Sequence, residues 1–414
     1  DFFSGNVLNT NKETNDNGNY QGWKEDNFRS RCVVVNDRYK PYMSFVANII
    51  CPFHISGAFD TSAELRCYEI SRPEPGPNDV SIDIKYCGMC HSDCHACNGD
   101  WGMTAFPIAP GHEVSGIVRA VGENVTKFKV GDAVGVGCMV ESCKTCDLCK
   151  AGLEQHCPAM VQTYGSPYPD GRGDNFKGAV GYHTNGGYTS DITVDQHFVF
   201  AIPEGMDLKY AGVLLCAGIT TFSPLNRHIL QKGGGKGKSV GIVGFGGLGQ
   251  MAVKLATAMN VDRITILSRN DKKKADAEKL GCEILVYTDE EALAKAARSF
   301  DVVLDTVSVP HDVAKLASTL KVGGHWVLLG GVAQPFSISA FALLMNRHCI
   351  EGSLIGSVPE TQEMLEFCAK HNVVPEYEVI AAKDANAQFK ALMDGTASAD
   401  RKVIDISTLK DMFA

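Results

Sequence analysis

The stretch SVGIVGFGGLGQMAVKLATAM, residues 239–259, decides the fold class of this chain. It begins as an apolar run typical of a buried strand, turns at glycines that match G-x-G-x-x-G, and continues as an amphipathic helix. The residues of the turn are Gly244, Gly246, Gly247, Leu248 and Gly249. The first glycine permits a tight turn, Gly246 lets the backbone approach a pyrophosphate, and Gly249 lets the helix pack closely on the strand. The stretch predicts a dinucleotide-binding turn; the alternative is a strand–helix turn without a ligand.

The sequence on the C-terminal side of this turn alternates between strand and helix patterns. RITILSR (residues 263–269), FDVVLDTV (300–307) and GHWVLLGG (324–331) predict further buried strands, and DKKKADAEKLG (271–281) predicts a helix. Such alternation is typical of a doubly wound parallel sheet. We therefore predict an α/β fold with a Rossmann domain over residues 217–355.

The sequence on the N-terminal side has a different pattern. From Leu65 to Val136, short alternating runs separated by Pro, Gly and Asn predict a β-rich, barrel-like domain. We assign residues 45–216 to this domain and expect residues 356–414 to return to it and complete it. Residues 1–44 are rich in Asn, Asp, Gly and Lys and predict a poorly ordered extension, with Met43 as a candidate start of a shorter product.

Composition and charge narrow the class of protein. The 414-residue chain is 44% hydrophobic and 21% charged, as in globular proteins, and its net charge of −9 disfavours a nucleic-acid partner. We see neither an apolar run of ~18 residues nor a secretory signal, so we predict a cytoplasmic protein without a membrane partner. The 16 cysteines are clustered, which in a chain of this length favours metal binding or catalysis over disulfides.

The segment after the second strand of the parallel sheet indicates the cofactor. Proteins that bind NAD usually carry an Asp or Glu about 20 residues after the glycine turn, where it bonds the ribose hydroxyls. Here Ser268 and Arg269 stand in its place, and Lys273 follows between two further lysines. A hydroxyl with several cations suits a 2′-phosphate through charge-assisted hydrogen bonds, so we predict NADP(H) over NAD(H). The alternative places some of these lysines on a solvated helix face.

Four cysteines form the most specific motif of the chain. Cys143, Cys146, Cys149 and Cys157 have the spacing C-x2-C-x2-C-x7-C in a loop of Glu, Ser, Lys and Gly. Four thiolates this close match a closed tetrahedral zinc site. We predict a structural Zn2+ that holds the loop in place; the alternative is an iron–sulfur cluster.

Two further groups compete as a second metal site. One is a C-x2-C-x3-C-x2-C cluster made of Cys87, Cys90, Cys94 and Cys97. The other is a dispersed set made of Cys90, His112, Glu113 and Cys216. Two thiolates and one imidazole would leave an open position on zinc, as a catalytic site requires. Spacing alone does not choose between the two groups.

The motifs together resemble the zinc-containing medium-chain alcohol dehydrogenases. The resemblance is to the cinnamyl alcohol dehydrogenase-like branch and, within it, to bacterial NADPH-dependent broad-specificity aldehyde reductases. The matching stretches run in family order and are EPGPNDVSIDIKYCGMCHSDCH, PGHEVSGIVRAVGENV, VGVGCMVESCKTCDLCKAGLEQHC, LLCAGITTFSPL, VGIVGFGGLGQMAVKLA and GSLIGSVPETQEMLEFC. The resemblance implies a GroES-like catalytic domain, a Rossmann cofactor domain, and hydride transfer between NADP(H) and small aldehydes or primary alcohols, mainly as aldehyde reduction.

The resemblance also chooses the ligands of the catalytic Zn2+. In the family they are the Cys before His-Ser/Thr-Asp, the His of Gly-His-Glu and the Cys of LLCAG, which here are Cys90, His112 and Cys216. Glu113 matches the family's carboxylate that can approach zinc when substrate is absent. The other three cysteines of the competing cluster become ordinary small residues, with a redox or metal role as the alternative.

Further site residues follow from the same resemblance. Ser92 and His95 match the family's proton relay, and Ser92 is also a candidate helix cap. His91 and Ser92 are expected near the cofactor, His91 at its pyrophosphate. Other positions that match cofactor contacts are Thr220, Thr306, Gly330 and Ser353.

The substrate and the assembly are less clearly indicated. Candidate pocket residues, with core packing as the alternative, are Trp101, Met103 and Phe106. Where cinnamyl enzymes tend to have a Trp, this chain has Gln162 or Thr163, which favours a general reductase. The resemblance implies a homodimer formed by edge strands of the Rossmann domains. Rival hypotheses are an NAD-dependent alcohol oxidiser and a catalytically silent homologue that binds cofactor or zinc.

Overall fold

The elements of the fold are given by a computed structural model, which describes residues 29–35, 65–72, 75–101, 104, 106, 108–168, 175–176, 183–332, 334–398 and 400–412. Its strands are β1 (Arg29–Val35), β2 (Leu65–Ser71), β3 (Asp79–Gly88), β4 (Val114–Val121), β5 (Ala133–Val136), β6 (Met139–Glu141), β7 (Val161–Gln162), β8 (Asn175–Phe176), β9 (Asp191–Asp195), β10 (Val199–Ala201), β11 (Ser239–Val243), β12 (Arg263–Ser268), β13 (Glu283–Val286), β14 (Phe300–Asp305), β15 (Leu320–Leu328), β16 (Cys349–Gly352), β17 (Tyr377–Ala381) and β18 (Arg401–Asp405). Its α-helices are α1 (His91–Asn98), α2 (Asp147–Lys150), α3 (Leu208–Val213), α4 (Ile219–His228), α5 (Gly247–Ala258), α6 (Lys274–Lys279), α7 (Glu290–Lys295), α8 (Val313–Leu316), α9 (Ala340–Asn346), α10 (Val358–His371) and α11 (Ala385–Met393).

The Rossmann domain contains a parallel sheet in the order β13-β12-β11-β14-β15-β16. Every neighbouring pair in this sheet is parallel. The strand order reverses between β11 and β14, which is where a doubly wound sheet binds its ligand. Val240, Ile242 and Val243 of β11 are buried, as expected for a strand covered by helices on both faces of its sheet. The predicted doubly wound α/β fold is confirmed.

The β-rich domain is built on a sheet in the order β10-β5-β4-β3-β18-β17, and β9 also pairs with β3. Strand β18 comes from the C-terminal segment and pairs antiparallel with β3, Val403 opposite Gly88 and Asp405 opposite Tyr86. The end of the chain thus returns to the first domain, as the sequence predicts. The exact domain bounds stay predictions.

Strand β1 lies in the segment for which the sequence predicts a poorly ordered extension. It pairs antiparallel with β2, from Arg29 opposite Ser71 to Val35 opposite Leu65. Its sequence RSRCVVV ends in valines, whose branching at Cβ favours strands. Because the residues around this run are polar, the average composition of the segment does not indicate a strand. The structure therefore differs from the prediction at residues 29–35; the rest of residues 1–44 lies outside the described residues.

One helical run leads from the first domain into the second. Helix α3, a π-helical turn (Leu214–Gly218) and α4 follow without a break. The run Leu208–Lys232 is long and apolar enough to cross a membrane, but 83% of its apolar 18-residue stretch is buried inside the fold, so it is a core helix here. Within α4, Pro224 has no N–H to donate to the carbonyl of Thr220 four residues earlier.

Candidate active site

The four-cysteine loop has the dimensions of a closed zinc site. The Sγ atoms of Cys143, Cys146, Cys149 and Cys157 all lie within 4.8 Å of one another, at 3.5 Å for Cys157–Cys143 and 3.9 Å for Cys143–Cys149. Thiolates around a tetrahedral zinc, with Zn–S near 2.3 Å, stand about 3.8 Å apart, whereas a disulfide needs about 2.05 Å. The backbone N–H of Thr145 is the main cause that lowers the pKa of Cys143 to about 6. The loop fits four-coordinate zinc.

A buried carboxylate docks this loop onto the rest of the molecule. Glu154 is buried; its Oε1 lies 2.9 Å from Nε2 of His197, and its Oε2 accepts a hydrogen bond of 3.4 Å from the N–H of Val358. His197 follows β9 in the β-rich domain, and Val358 begins α10. The loop is therefore fixed to the β-rich domain and to the segment that returns from the Rossmann domain.

The dispersed set of metal-ligating residues comes together in the structure. The ligand atoms of Cys90, His112, Glu113 and Cys216 lie within 4.8 Å of one another, and His112 Nε2 is 3.2 Å from Cys216 Sγ. Cys90 stands between β3 and α1, and the two central residues of the set directly precede β4, the neighbour of β3. Cys216 lies in the π-helical turn, a local change of helix pitch that is frequent at functional sites. Of the two competing groups, this is the one whose ligand atoms converge.

The other cysteines of the competing cluster lie in the apolar core of the β-rich domain. Cys87, Cys94 and Cys97 are buried among apolar side chains. Burial raises the pKa of all three thiols. Neutral thiols in such surroundings are inert, and the geometry favours a packing role for them.

Asp93 orients the dispersed set, and sequence reasoning missed it. Its fully buried carboxylate accepts hydrogen bonds from the N–H of Cys90 (2.9 Å), the N–H of Gly111 (3.1 Å) and the hydroxyl of Tyr188 (3.1 Å). It also lies 3.0 Å from Nδ1 of His112, which leaves Nε2 free to bind a metal. Burial lowers the pKa of His112, but the negative charge of Asp93 raises it overall. Metal-binding histidines usually donate their second N–H to a carboxylate, so an Asp three residues after a candidate ligand was a usable signal.

Glu113, the carboxylate of the set, is buried without a hydrogen bond to either of its oxygens, among the residues that the structure describes. Burial raises its pKa to about 8, although Nη2 of Arg401 lies 3.2 Å from Oε1 and opposes this rise. A Cβ at Gly88 would stand 2.0 Å from Oε2, so glycine provides the space that this carboxylate occupies. A buried carboxylate without hydrogen bonds, next to two thiols and an imidazole, fits a site built for a cation.

Cys90 is the thiol of the set that ionises most readily. A hydrogen bond from the thiol of Cys216 is the main cause that lowers the pKa of Cys90; burial opposes it, and the charge of Arg401 adds to it. The structure also brings Cys138, which sequence reasoning did not consider, within hydrogen-bonding reach of Cys216.

The two residues of the expected proton relay lie on α1. Ser92 Oγ is 3.7 Å from Sγ of Cys90. His95 follows one turn later, on the same face of the helix, with Nδ1 2.8 Å from Oδ2 of Asp100 and its ring 5.5 Å from that of Trp101. Because His95 is partly exposed, α1 connects the metal set with the protein surface.

The glycine turn has the shape that the sequence predicts. Gly244 has φ +90°, in the left-handed region, and a Cβ at Gly249 would stand 2.3 Å from the carbonyl oxygen of Gly244. A Cβ at Gly246 would meet nothing within 4 Å, so the backbone at the start of α5 is open to a ligand. Lys273 Nζ donates a 2.9 Å hydrogen bond to the carbonyl of Phe245 and so brings a cation to the turn. This geometry fits a bound pyrophosphate.

The other predicted cofactor residues lie mostly at the carboxyl ends of the parallel strands. They are Ser268 and Arg269 at the end of β12, Thr306 after β14, Gly330 after β15, Ser353 after β16, and Gly247 and Leu248 in the first turn of α5. Thr220 is buried in α4. His91 is exposed at the start of α1, with Nε2 3.2 Å from the carbonyl of Leu392 in α11, so its pyrophosphate role stays a prediction.

A cavity beside the glycine turn is lined by residues of both domains, among them Ala217, Gly247 and Arg401. Cζ of Arg401 would be 3.6 Å from a Cβ at Gly247, and the same guanidinium contacts Glu113. Arg401 therefore lies between the metal set and the first turn of α5. It stands near the end of the chain, outside every motif, and sequence reasoning missed it.

The candidate substrate residues have different surroundings. Trp101 is exposed, Phe106 is half-buried against the core, and Met103 lies outside the described residues. In the stretch that follows the structural site, Thr163 is buried and donates a hydrogen bond to the Gly137 carbonyl. Tyr164 lies beside the metal set, with its ring centre 5.7 Å from that of His112. Sequence reasoning missed this residue.

Comparisons with known proteins give consistent matches. Residues 76–204 match the model of the alcohol dehydrogenase GroES-like domain, and residues 247–370 match that of the zinc-binding dehydrogenase family. The chain is 46% identical over 344 residues to NADP-dependent alcohol dehydrogenase C 1 of Mycolicibacterium smegmatis, covering 82% of this chain and 94% of that protein. It is 44% identical over 358 residues to aldehyde reductase YahK of Escherichia coli, covering 86% and 98%. Among solved structures, a cinnamyl alcohol dehydrogenase of Sorghum bicolor superimposes with a TM-score of 0.80 at 34% identity, covering 92% and 98%.

Proposed function

Because the chain belongs to the zinc-dependent medium-chain alcohol dehydrogenases, we propose that it interconverts aldehydes and alcohols with NADP(H), mainly as an aldehyde reductase. The observation that carries this proposal is the convergence of Cys90, His112 and Cys216 in a buried site next to an open dinucleotide turn. A pocket between the two domains is where a substrate and a cofactor can meet.

The residues of the site divide the work of this reaction. A bound zinc ion supplies Lewis acidity and NADPH supplies hydride. Cys90, His112 and Cys216 would hold the ion, and a set of three protein ligands would leave room for the substrate oxygen. In the reductive direction Ser92 gives a proton to the substrate oxygen, and His95 restores it from solvent.

The proposal includes two zinc ions per chain with different roles. The dispersed set would hold the catalytic ion, and the four-cysteine loop would hold a structural ion closed to substrate, because it offers four thiolates. The cytoplasmic setting and the lack of a nucleic-acid partner stay predictions from composition.

The cofactor preference depends on the end of β12. Ser268, Arg269 and Lys273 offer a hydroxyl and two cations where an NAD-binding protein has a carboxylate. We expect Arg269→Ala to lower kcat/KM for NADPH about 10–100-fold, since one charge-assisted hydrogen bond contributes about 1.5–3 kcal/mol, and to leave kcat/KM for NADH nearly unchanged. The matched control is Lys274→Ala. Lys274 is on the same segment, but its ammonium group lies 3.9 Å from the carboxylate of Glu278. An equal loss with both cofactors in the Arg269 variant would contradict the assignment.

The activity itself is tested with a panel of substrates. Initial rates are measured with short aliphatic, branched and aromatic aldehydes, each with NADPH and with NADH. The proposal predicts turnover of several aldehydes and a higher kcat/KM with NADPH for each of them. Faster turnover with NADH would favour the rival NAD-dependent oxidiser, and no turnover at full zinc occupancy would favour the silent homologue.

We also propose that the protein is a homodimer. Strand β16 is the last strand of the parallel sheet as described, and the nearby helix α9 exposes large apolar side chains. Phe341 is 74% exposed, Leu344 72% and Met345 75%. Such a cluster beside the last described strand of the sheet supports association of two copies, because exposed apolar patches of this kind mark interaction surfaces.

The dimer is tested at the centre of this apolar cluster. We expect Leu344→Asp to convert the protein from dimer to monomer in light scattering coupled to size-exclusion chromatography, because a carboxylate would be buried without a partner in the interface. The control is Val130→Asp, since Val130 is also exposed but lies in the β-rich domain. A Leu344 variant that remains dimeric would place the interface elsewhere.

A further inference from the structure

A third group of metal-ligating residues lies in the Rossmann domain, away from both cysteine sites. Its members are His228, His325 and Glu351. His228 ends α4, His325 is in β15, and Glu351 is in the neighbouring strand β16. The sequence gives no sign of this group, because its residues are far apart in the chain and belong to no motif.

The ligand atoms of this group converge on one point. His228 Nε2 is 2.5 Å and His325 Nδ1 is 3.4 Å from the same oxygen of Glu351, Oε1. The two imidazole rings lie side by side, with centroids 4.2 Å apart and an interplanar angle of 38°. All three atoms fall within 4.8 Å of one another. Two nitrogens and one carboxylate oxygen therefore face a common centre.

These three atoms lack aligned hydrogen-bond partners. Among the described residues, His228 Nε2, His325 Nδ1 and Glu351 Oε1 are buried atoms without a hydrogen bond, despite the short distances between them. The other oxygen of Glu351, Oε2, has its own cation, since Nη1 of Arg227 lies 3.8 Å away. Buried polar atoms are normally satisfied, so this group calls for a further partner.

The position of the two rings suits a shared cation, because both ring nitrogens and one oxygen of Glu351 lie within 4.8 Å of one another. Neutral imidazole is the form that binds a metal. A divalent cation between the rings would bond both nitrogens and the carboxylate at once.

We infer that His228, His325 and Glu351 form a third metal site, which binds a divalent cation of the zinc class and ties the end of α4 to β15 and β16. Two imidazoles and one carboxylate suit Zn2+, Co2+ or Ni2+, whereas Mg2+ and Ca2+ prefer oxygen ligands only. The ion has access from solvent, because the side chains of His325 and Glu351 are 35% and 24% exposed while that of His228 is 8% exposed. Bond lengths near 2.1 Å place tetrahedral ligand atoms about 3.4 Å apart, so the His228–Glu351 contact opens by about 1 Å on binding and the His325–Glu351 contact does not change.

The experiment counts metal ions against matched variants. The purified full chain is equilibrated with buffered Zn2+ near 10 µM, freed of excess, and its zinc per chain is measured by inductively coupled plasma mass spectrometry. The wild type is expected to hold one zinc more than His228→Gln and His325→Gln. His371→Gln, a control at an exposed histidine of α10, is expected to match the wild type. Equal zinc content in the wild type and the His228 variant overturns the proposal.

Two further variants keep the result interpretable. Cys349 pairs in register with His325 across β15 and β16 and is exposed, so a surface thiol is the competing ligand. Cys349→Ser is expected to keep the additional zinc. If Cys349→Ser loses this zinc while His228→Gln keeps it, the assignment is overturned. Glu351→Gln removes the anionic ligand with little change of shape and serves if a histidine variant unfolds. Zinc is also expected to raise the unfolding midpoint by about 5 °C more in the wild type than in Glu351→Gln, and an equal rise in both overturns the proposal.

Discussion

Cys216→Ala is expected to lower kcat/KM for aldehyde reduction with NADPH by at least about 10³-fold and to leave the fold intact. The thiol lies 3.2 Å from His112 Nε2 in the π-helical turn and is one of the three proposed ligands. Without it the set cannot hold its ion tightly, and the reaction loses a Lewis acid that contributes several kcal/mol. Each 1.36 kcal/mol is a tenfold change in rate, which gives a loss of this size.

The measurements for this variant separate chemistry from folding. Zinc content is expected to fall by one ion per chain in Cys216→Ala, while circular dichroism and the thermal midpoint stay close to those of the wild type. The matched control is Cys368→Ala, because Cys368 is also a buried cysteine but lies in α10. Wild-type turnover in Cys216→Ala would remove this residue from the ligand set.

Asp93→Asn is expected to have the second largest effect, although Asp93 would not touch the metal. Each oxygen of its buried carboxylate faces two donors, Oδ1 facing Gly111 N and His112 Nδ1, and Oδ2 facing Cys90 N and Tyr188 Oη. If the amide NH2 of Asn replaced either oxygen, this donor would face the donors that the oxygen accepts from, and at least one buried N–H would be unsatisfied. We expect a loss of about 1–3 kcal/mol in the free energy of unfolding and a 10–100-fold weaker affinity of the catalytic site for zinc.

The zinc affinity of this variant is measured by competition with a zinc chelator. Its aldehyde reductase activity is then measured at increasing concentrations of free zinc. Activity should return at higher zinc in Asp93→Asn, since the three ligands are still present. Asp411→Asn is the control, because Asp411 is exposed near the end of the chain. An unchanged zinc affinity in the Asp93 variant would show that this carboxylate serves the fold alone.

The Rossmann domain and the four-cysteine loop could be predicted because their determinants are local in sequence. The glycine turn needs six consecutive residues and the loop needs fifteen, and both appear in the structure with the expected geometry. The strand β1 was missed for the opposite reason. Its valines are a short run inside a polar segment, and pairing with β2 stabilises it through contacts distant in sequence.

The centre of the site depends on residues that only the fold brings together. Cys216 lies 3.2 Å from His112 because the helical run that leads from the first domain into the second passes beside it, and no spacing rule gives that distance. Arg401 arrives from β18, which pairs with β3 only after the chain has completed the Rossmann domain. For such residues the sequence offers the chemical type but not the position, so a resemblance to a family was needed to choose among the cysteines.

The proposed reaction requires a metal ion held by two sulfurs and one imidazole between the two domains. Anomalous diffraction at the zinc edge, from crystals of the zinc-loaded protein, locates such an ion. We expect a peak about 2.3 Å from Sγ of Cys90 and Cys216 and about 2.1 Å from Nε2 of His112, in addition to one inside the four-cysteine loop. A peak in that loop alone, with no anomalous density between these three residues, would contradict it.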